Sequence, residues 1–209
     1  LEEISKMKEK NIAIELLKKL LAERVTIYQK TNLVQAEKFS DLLNRALSNY
    51  LKGLLTNEEV IQELLKLAAE ISESENQGNE LGLTAEEKSF YDALTKPRAV
   101  QDIYTNEQLV AMTKELTDAL RKNRTIDWQK KESARAGMRR MIKRLLKKYK
   151  YPPEEAENAL ETVIHQCEQW SDNDSDEYSI NESTQKYNFQ QSYYSIAADE
   201  IHEGYNKKL

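Results

Sequence analysis

A shortage of turn-forming residues is the tightest constraint on this chain. It carries 5 Gly and 3 Pro in 209 residues. Sheet-rich folds need a tight turn every few residues, and glycine and proline supply many of them. Leu, Glu, Lys, Ala and Gln, all inexpensive in a helix, fill most of the chain instead. The expected fold is all-α: a multi-helix bundle of about seven helices with a polar C-terminal tail. A hydrophobic share of 39% against 32% charged residues suits helices that each give one apolar stripe to a shared core.

Local signals place those helices. Ile4, Met7, Ile12, Ile14, Leu16, Leu17, Leu20, Leu21 and Val25 predict a first helix over about 2–29. A second runs from about 33 to 52, with Gly53 as its natural end. Three Thr-led boxes, Thr56 to Glu59, Thr84 to Glu87 and Thr105 to Gln108, each mark a helix start. The polar stretch from Ser72 to Gly82 reads as a connector and an internal boundary. Lys96-Pro97-Arg98 interrupts the short helix before it. The expected parts are therefore an N-terminal helical part over 1–75, a second over 83–170 with a basic helix at 131–149, and a low-complexity polar tail over 171–209.

The function classes thin out quickly. None of the five glycines stands beside a Lys-Ser/Thr pair, so no phosphate-cradling loop is present. His165, His202 and Cys167 are the only imidazoles and thiol, too few for a metal site, and the two-residue spacing of His165 and Cys167 turns them apart on a helix. The expectation is no catalytic residue, no cofactor and no metal. One cysteine excludes an internal disulfide and suits a reducing compartment. No run reaches the ~18 apolar residues that a membrane span needs. The chain lacks an initiator Met and starts in mid-pattern, as a piece of a longer protein would.

Charge is the informative feature. The chain has a formal net charge of -5, yet residues 121–153 hold only Asp127 and Glu132 as acids. Within that stretch Ala134, Met138, Met141, Ile142, Leu145 and Tyr149 recur at helical spacing, and the cations take the other side. The candidate binding face is Arg135, Arg139, Arg140, Lys143, Arg144, Lys147 and Lys148, suited to a phosphate backbone or an acidic protein surface. The competing reading is a face neutralised by the acidic segment 154–168. Asp127 and Glu132 read as ion-pair partners of Arg124, Arg135 or Arg139, and Trp128 as a core anchor.

The same stretch, IDWQKKESARAGMRRMIKRLLKKYKYPPEEAE, resembles the C-terminal helical region of the R subunit of type I restriction enzymes. The likeness rests on Asp127, Trp128, Glu132, Arg135, Ala136, Met138, Arg139, Lys143, Arg144, Lys147, Tyr149, Tyr151, Pro152 and Pro153, in order and spacing. The blocks at 83–94 and 34–50 agree, so it covers roughly residues 10 to 168. It implies a noncatalytic assembly region of a bacterial cytoplasmic motor. The ATP- and Mg-dependent translocation and cleavage would belong to other domains of the subunit. Its implied partners are the modification and specificity subunits, with duplex DNA as the alternative; no membrane is implied.

Overall fold

The computed structural model describes residues 7–125 and 128–171. Among them are eight α-helices and no strand. They are α1 Lys10–Thr31, α2 Leu33–Leu51, α3 Asn57–Glu80, α4 Ala85–Thr95, α5 Arg98–Ile103, α6 Asn106–Asn123, α7 Glu132–Lys148 and α8 over 153–171, with one 3-10 turn at Trp128–Lys130. The all-α expectation holds. Ile4, Asp127 and the tail beyond residue 171 lie outside the described residues.

Helix starts and stops follow from side-chain chemistry. Thr56, Thr84 and Thr105 each accept from the amide three residues on, while Glu59, Glu87 and Gln108 reach back to the cap amide. Two of the four orphan amides at each start are thereby satisfied. Three helices end by one device, a left-handed residue followed by a six-residue hydrogen-bonded return. In α2 Gly53 takes a φ of 71°, and Leu54 N donates to the Asn49 carbonyl at 2.9 Å. In α3 Gly82 takes 62°, and Leu83 N donates to the Gly78 carbonyl at 3.0 Å. In α7 the left-handed residue is Lys150, at 58°, and Tyr151 N donates to the Leu146 carbonyl at 2.9 Å.

The structure corrects three expectations. Residues 72–80 are not a connector: α3 continues through them to Glu80. Polar composition there reflects a solvent-facing helix, and Gly78 sits inside it against the methylene stem of Lys88. Lys96-Pro97-Arg98 is more than a break: Pro97, at φ −71°, starts the short α5 that buries Val100. Among the described residues the first helix starts at Lys10, with residues 7–9 outside it, and its apolar stripe is really two rows. Ala13, Ile14, Leu17, Leu21 and Val25 are buried, while Ile12 (56%), Leu16 (39%), Leu20 (40%) and Ile27 (52%) face outward.

Two hydrophobic clusters organise the bundle. The first, from Ala13 to Ile71, lies among α1, α2 and α3, with Phe39, Leu17 and Leu64 fully buried. The second draws on every element from Leu83 to Cys167, including Phe90, Leu94, Leu116, Trp128, Ile142 and Leu160. The basic helix belongs to the second.

Candidate docking face on the basic helix

The fold holds α7 at both ends. Trp128, 1% exposed, anchors the 3-10 turn before it in the second cluster. After it, Tyr151 is buried and donates its hydroxyl to the Leu94 carbonyl at 2.6 Å. Tyr104 donates to the Tyr149 carbonyl at 2.9 Å. Burial pushes the Tyr151 phenol above its ordinary range. The buried side is Met138, Ile142, Leu145 and Leu146, with Ala134, Met141 and Tyr149 packed beside it. Leu146 extends the expected stripe by one residue.

The cations divide into rows. Pro152-Pro153 turn the chain back so that α8 runs antiparallel to α7, and carboxylates meet cations in register. Arg135 pairs with Glu168 at 2.8 Å, Lys143 with Glu157 at 2.9 Å, and Arg139 makes a bidentate pair with Glu161. At the far edge Lys148 pairs with Glu115 of α6 at 2.6 Å, and Tyr149 donates to the same carboxylate at 2.8 Å. Four of the seven candidate cations are thus tied to carboxylates of the same chain. Arg140, Arg144 and Lys147 make no ion pair with any described residue, and all three are exposed. At 100° per residue they lie between the two clamped edges and roughly opposite the buried side.

These pairs leave electrostatic marks. The Arg139 hydrogen bond holds Glu161 below the ordinary carboxylate value, and Lys148, then Tyr149, do the same for Glu115. The Arg139 and Lys148 values rise in turn, each first through its carboxylate partner. Glu59 and Glu107 are lowered by hydrogen bonds at their helix starts. The displaced carboxylates lie on three helices, α3, α6 and α8, and each is explained by its own local partners. Arg135 and Arg139 find their partners on α8, not in Glu132, because α8 offers three carboxylates along the facing edge. The four-residue steps 135, 139, 143 and 157, 161, on either side of a double proline, were the available sign of this pairing. Glu115 had none, since its partner lies 33 residues away.

No group of three or more possible metal ligands occurs among the described residues. His165 is exposed and Cys167 is buried, its thiol pushed up to about 12 by desolvation. A buried, protonated thiol is an inert core group. None of the described helices is long and apolar enough to cross a membrane.

Comparison with known proteins gives this arrangement its context. Residues 1–173 match the family model described as type I restriction enzyme HindI endonuclease subunit-like, C-terminal. The chain belongs to this family. It is 39% identical over 160 residues to the type I restriction enzyme HindI endonuclease subunit of Haemophilus influenzae, covering 77% of this chain and 15% of that one. It is 31% identical over 149 residues to the putative type I restriction enzyme MjaIXP endonuclease subunit of Methanocaldococcus jannaschii, covering 71% and 14%. The chain thus spans about 15% of the length of the HindI subunit. No solved structure matches it. The matched residues include the whole of α7 and of α8.

Proposed function

We propose that this chain is a noncatalytic assembly region that seats a type I restriction endonuclease subunit on its modification and specificity subunits. The observation that carries the reading is the row Arg140, Arg144 and Lys147, exposed and without an ion pair to any described residue. A helix whose other cations are clamped on both sides presents that row in one geometry. The ordering cost when an acidic surface meets it is then that of the three side chains alone, about 0.5–1.5 kcal/mol each. Such contacts contribute chiefly to association rate and orientation.

The ATP and Mg chemistry of a restriction motor does not fit these residues. The sequence has no glycine-rich phosphate loop, and the described residues offer no cluster of metal ligands. In this reading that chemistry belongs to other parts of such a subunit, and no step of it passes through this chain.

The test is a binding titration of the chain against a modification–specificity complex, with and without duplex DNA, at two salt concentrations. Saturable binding without DNA is the expected result. Arg140→Glu/Arg144→Glu/Lys147→Glu should abolish it while leaving the melting temperature unchanged, because no described partner is lost. Binding that needs DNA, and falls with salt at a log–log slope near about −3 for three phosphate contacts, would assign the row to the DNA backbone instead. Unchanged binding by the triple variant would remove the row from the interface.

A further inference from the structure

Between the two hydrophobic clusters lies a belt of polar side chains centred on Asp92. Asp92 and Lys88, one turn apart on α4, form an ion pair with side chains 7% and 9% exposed. Asn32 Nδ2 donates to Asp92 Oδ2 at 2.7 Å, and Gln35 Nε2 donates to the same oxygen at 3.0 Å. On the other side of the α1–α2 junction, Leu33 N donates to Gln166 Oε1 at 2.8 Å, and Gln166 Nε2 donates to the Thr31 carbonyl at 3.1 Å. Gln166, on α8, is fully buried. Residues 31–33, where α1 becomes α2, are therefore gripped between α4 and α8 by directed hydrogen bonds. Among the hydrophobic residues of α1–α3, Val34 alone packs against the second cluster.

The chemistry of this belt differs from that of the cores on either side. Apolar contact is non-directional and tolerates sliding as long as area stays buried. A hydrogen-bonded network around a buried charge pair is satisfied in one geometry, and a partly satisfied one is costly. We infer that the Asp92 belt is a joint: it fixes the orientation of the α1–α3 body on the α4–α8 body. Each body keeps its own core, so opening the joint frees the two to move as units. The first body carries the outward apolar row of α1, and the second carries the cationic row of α7. The joint sets the angle between those two surfaces. It needs no partner molecule and stands independently of the docking reading.

The experiment uses the 209-residue chain with spin labels at Glu63→Cys and Lys122→Cys, two exposed positions on α3 and α6. Cys167 is 2% exposed and shielded from the label. The variant Lys88→Met/Asp92→Leu removes both charges and keeps the apolar bulk, so no unpaired charge is left buried. With helicity by circular dichroism retained, the expected result is a distance distribution broader than that of the parent. A distribution as narrow as the parent's would overturn the joint. Should the variant lose its helicity, hydrogen exchange on the unaltered chain decides. Expected there are two opening free energies, one for amides of α1–α3 and another for those of α4–α8. A single common value would show one cooperative core and sink the inference.

Discussion

Lys150 holds a φ of 58°, a conformation that costs a side-chain-bearing residue about 1–2 kcal/mol and glycine almost nothing. The α7 terminus needs that conformation to return Tyr151 N to the Leu146 carbonyl. Lys150→Gly is therefore expected to raise stability by about 1 kcal/mol in thermal or urea unfolding. A lower melting temperature would show that the Lys150 side chain holds the turn by contacts of its own. Leu145 makes the opposite case. Its side chain is buried against the second cluster, and an aspartate there would be a buried charge without a partner. Leu145→Asp should unfold the α4–α8 body and so take away a large part of the far-ultraviolet helical signal under conditions where the parent is folded. A fully helical Leu145→Asp protein would mean that α7 packs by another side.

At the scale of helices, α7 is fixed by apolar burial on one side and by ion pairs along both edges. Glu161 and Glu115 have folded values below the ordinary 4.5, each first through a hydrogen bond from its cation. A carboxylate depressed in the folded state stabilises it above the unfolded value, and that contribution is lost as pH falls through the folded one. The edges of α7 should thus weaken as pH falls below that ordinary value and on through the depressed ones. Glu115→Gln/Glu161→Gln is expected to melt lower than the parent near neutral pH and to converge with it in acid. Parallel melting curves at every pH would remove these pairs from the acid response. Helix starts were legible in the sequence because each Thr box is a local signal, and Gly53 marked an end for the same reason. The end of α3 was not, because Gly78 and Gly82 look alike in a string; only Gly82 takes the left-handed conformation. For the basic face the cations were legible, but their division was not. Which of them are clamped depends on the register of α8, at which the spacing of its carboxylates hinted, and on Glu115 of α6, for which the sequence had no sign.

Across the whole molecule, buried and exposed apolar rows share one helix. Helical periodicity marked the nine residues of the first stripe without separating Leu17 from Leu16, since neighbouring rows are only 100° apart. Only packing against α2 and α3 decides that Leu17 is core and Leu16 surface. Leu16→Gln/Leu20→Gln should accordingly change unfolding free energy by no more than about 0.5 kcal/mol per site. A loss of several kcal/mol would mean that the outward row is covered in the molecule as it exists in solution.

Asn32 ends α1, caps α2 through Oδ1 on the Gln35 amide at 3.2 Å, and reaches Asp92 through Nδ2. One short side chain must accept and donate at once. Aspartate can cap but brings a second negative charge to Asp92, and serine can cap but is shorter than the reach required. A substitution at Asn32 is consequently expected to cost more stability than one at the exposed positions of α1. A single codon carries the punctuation of two helices and the seam between two cores.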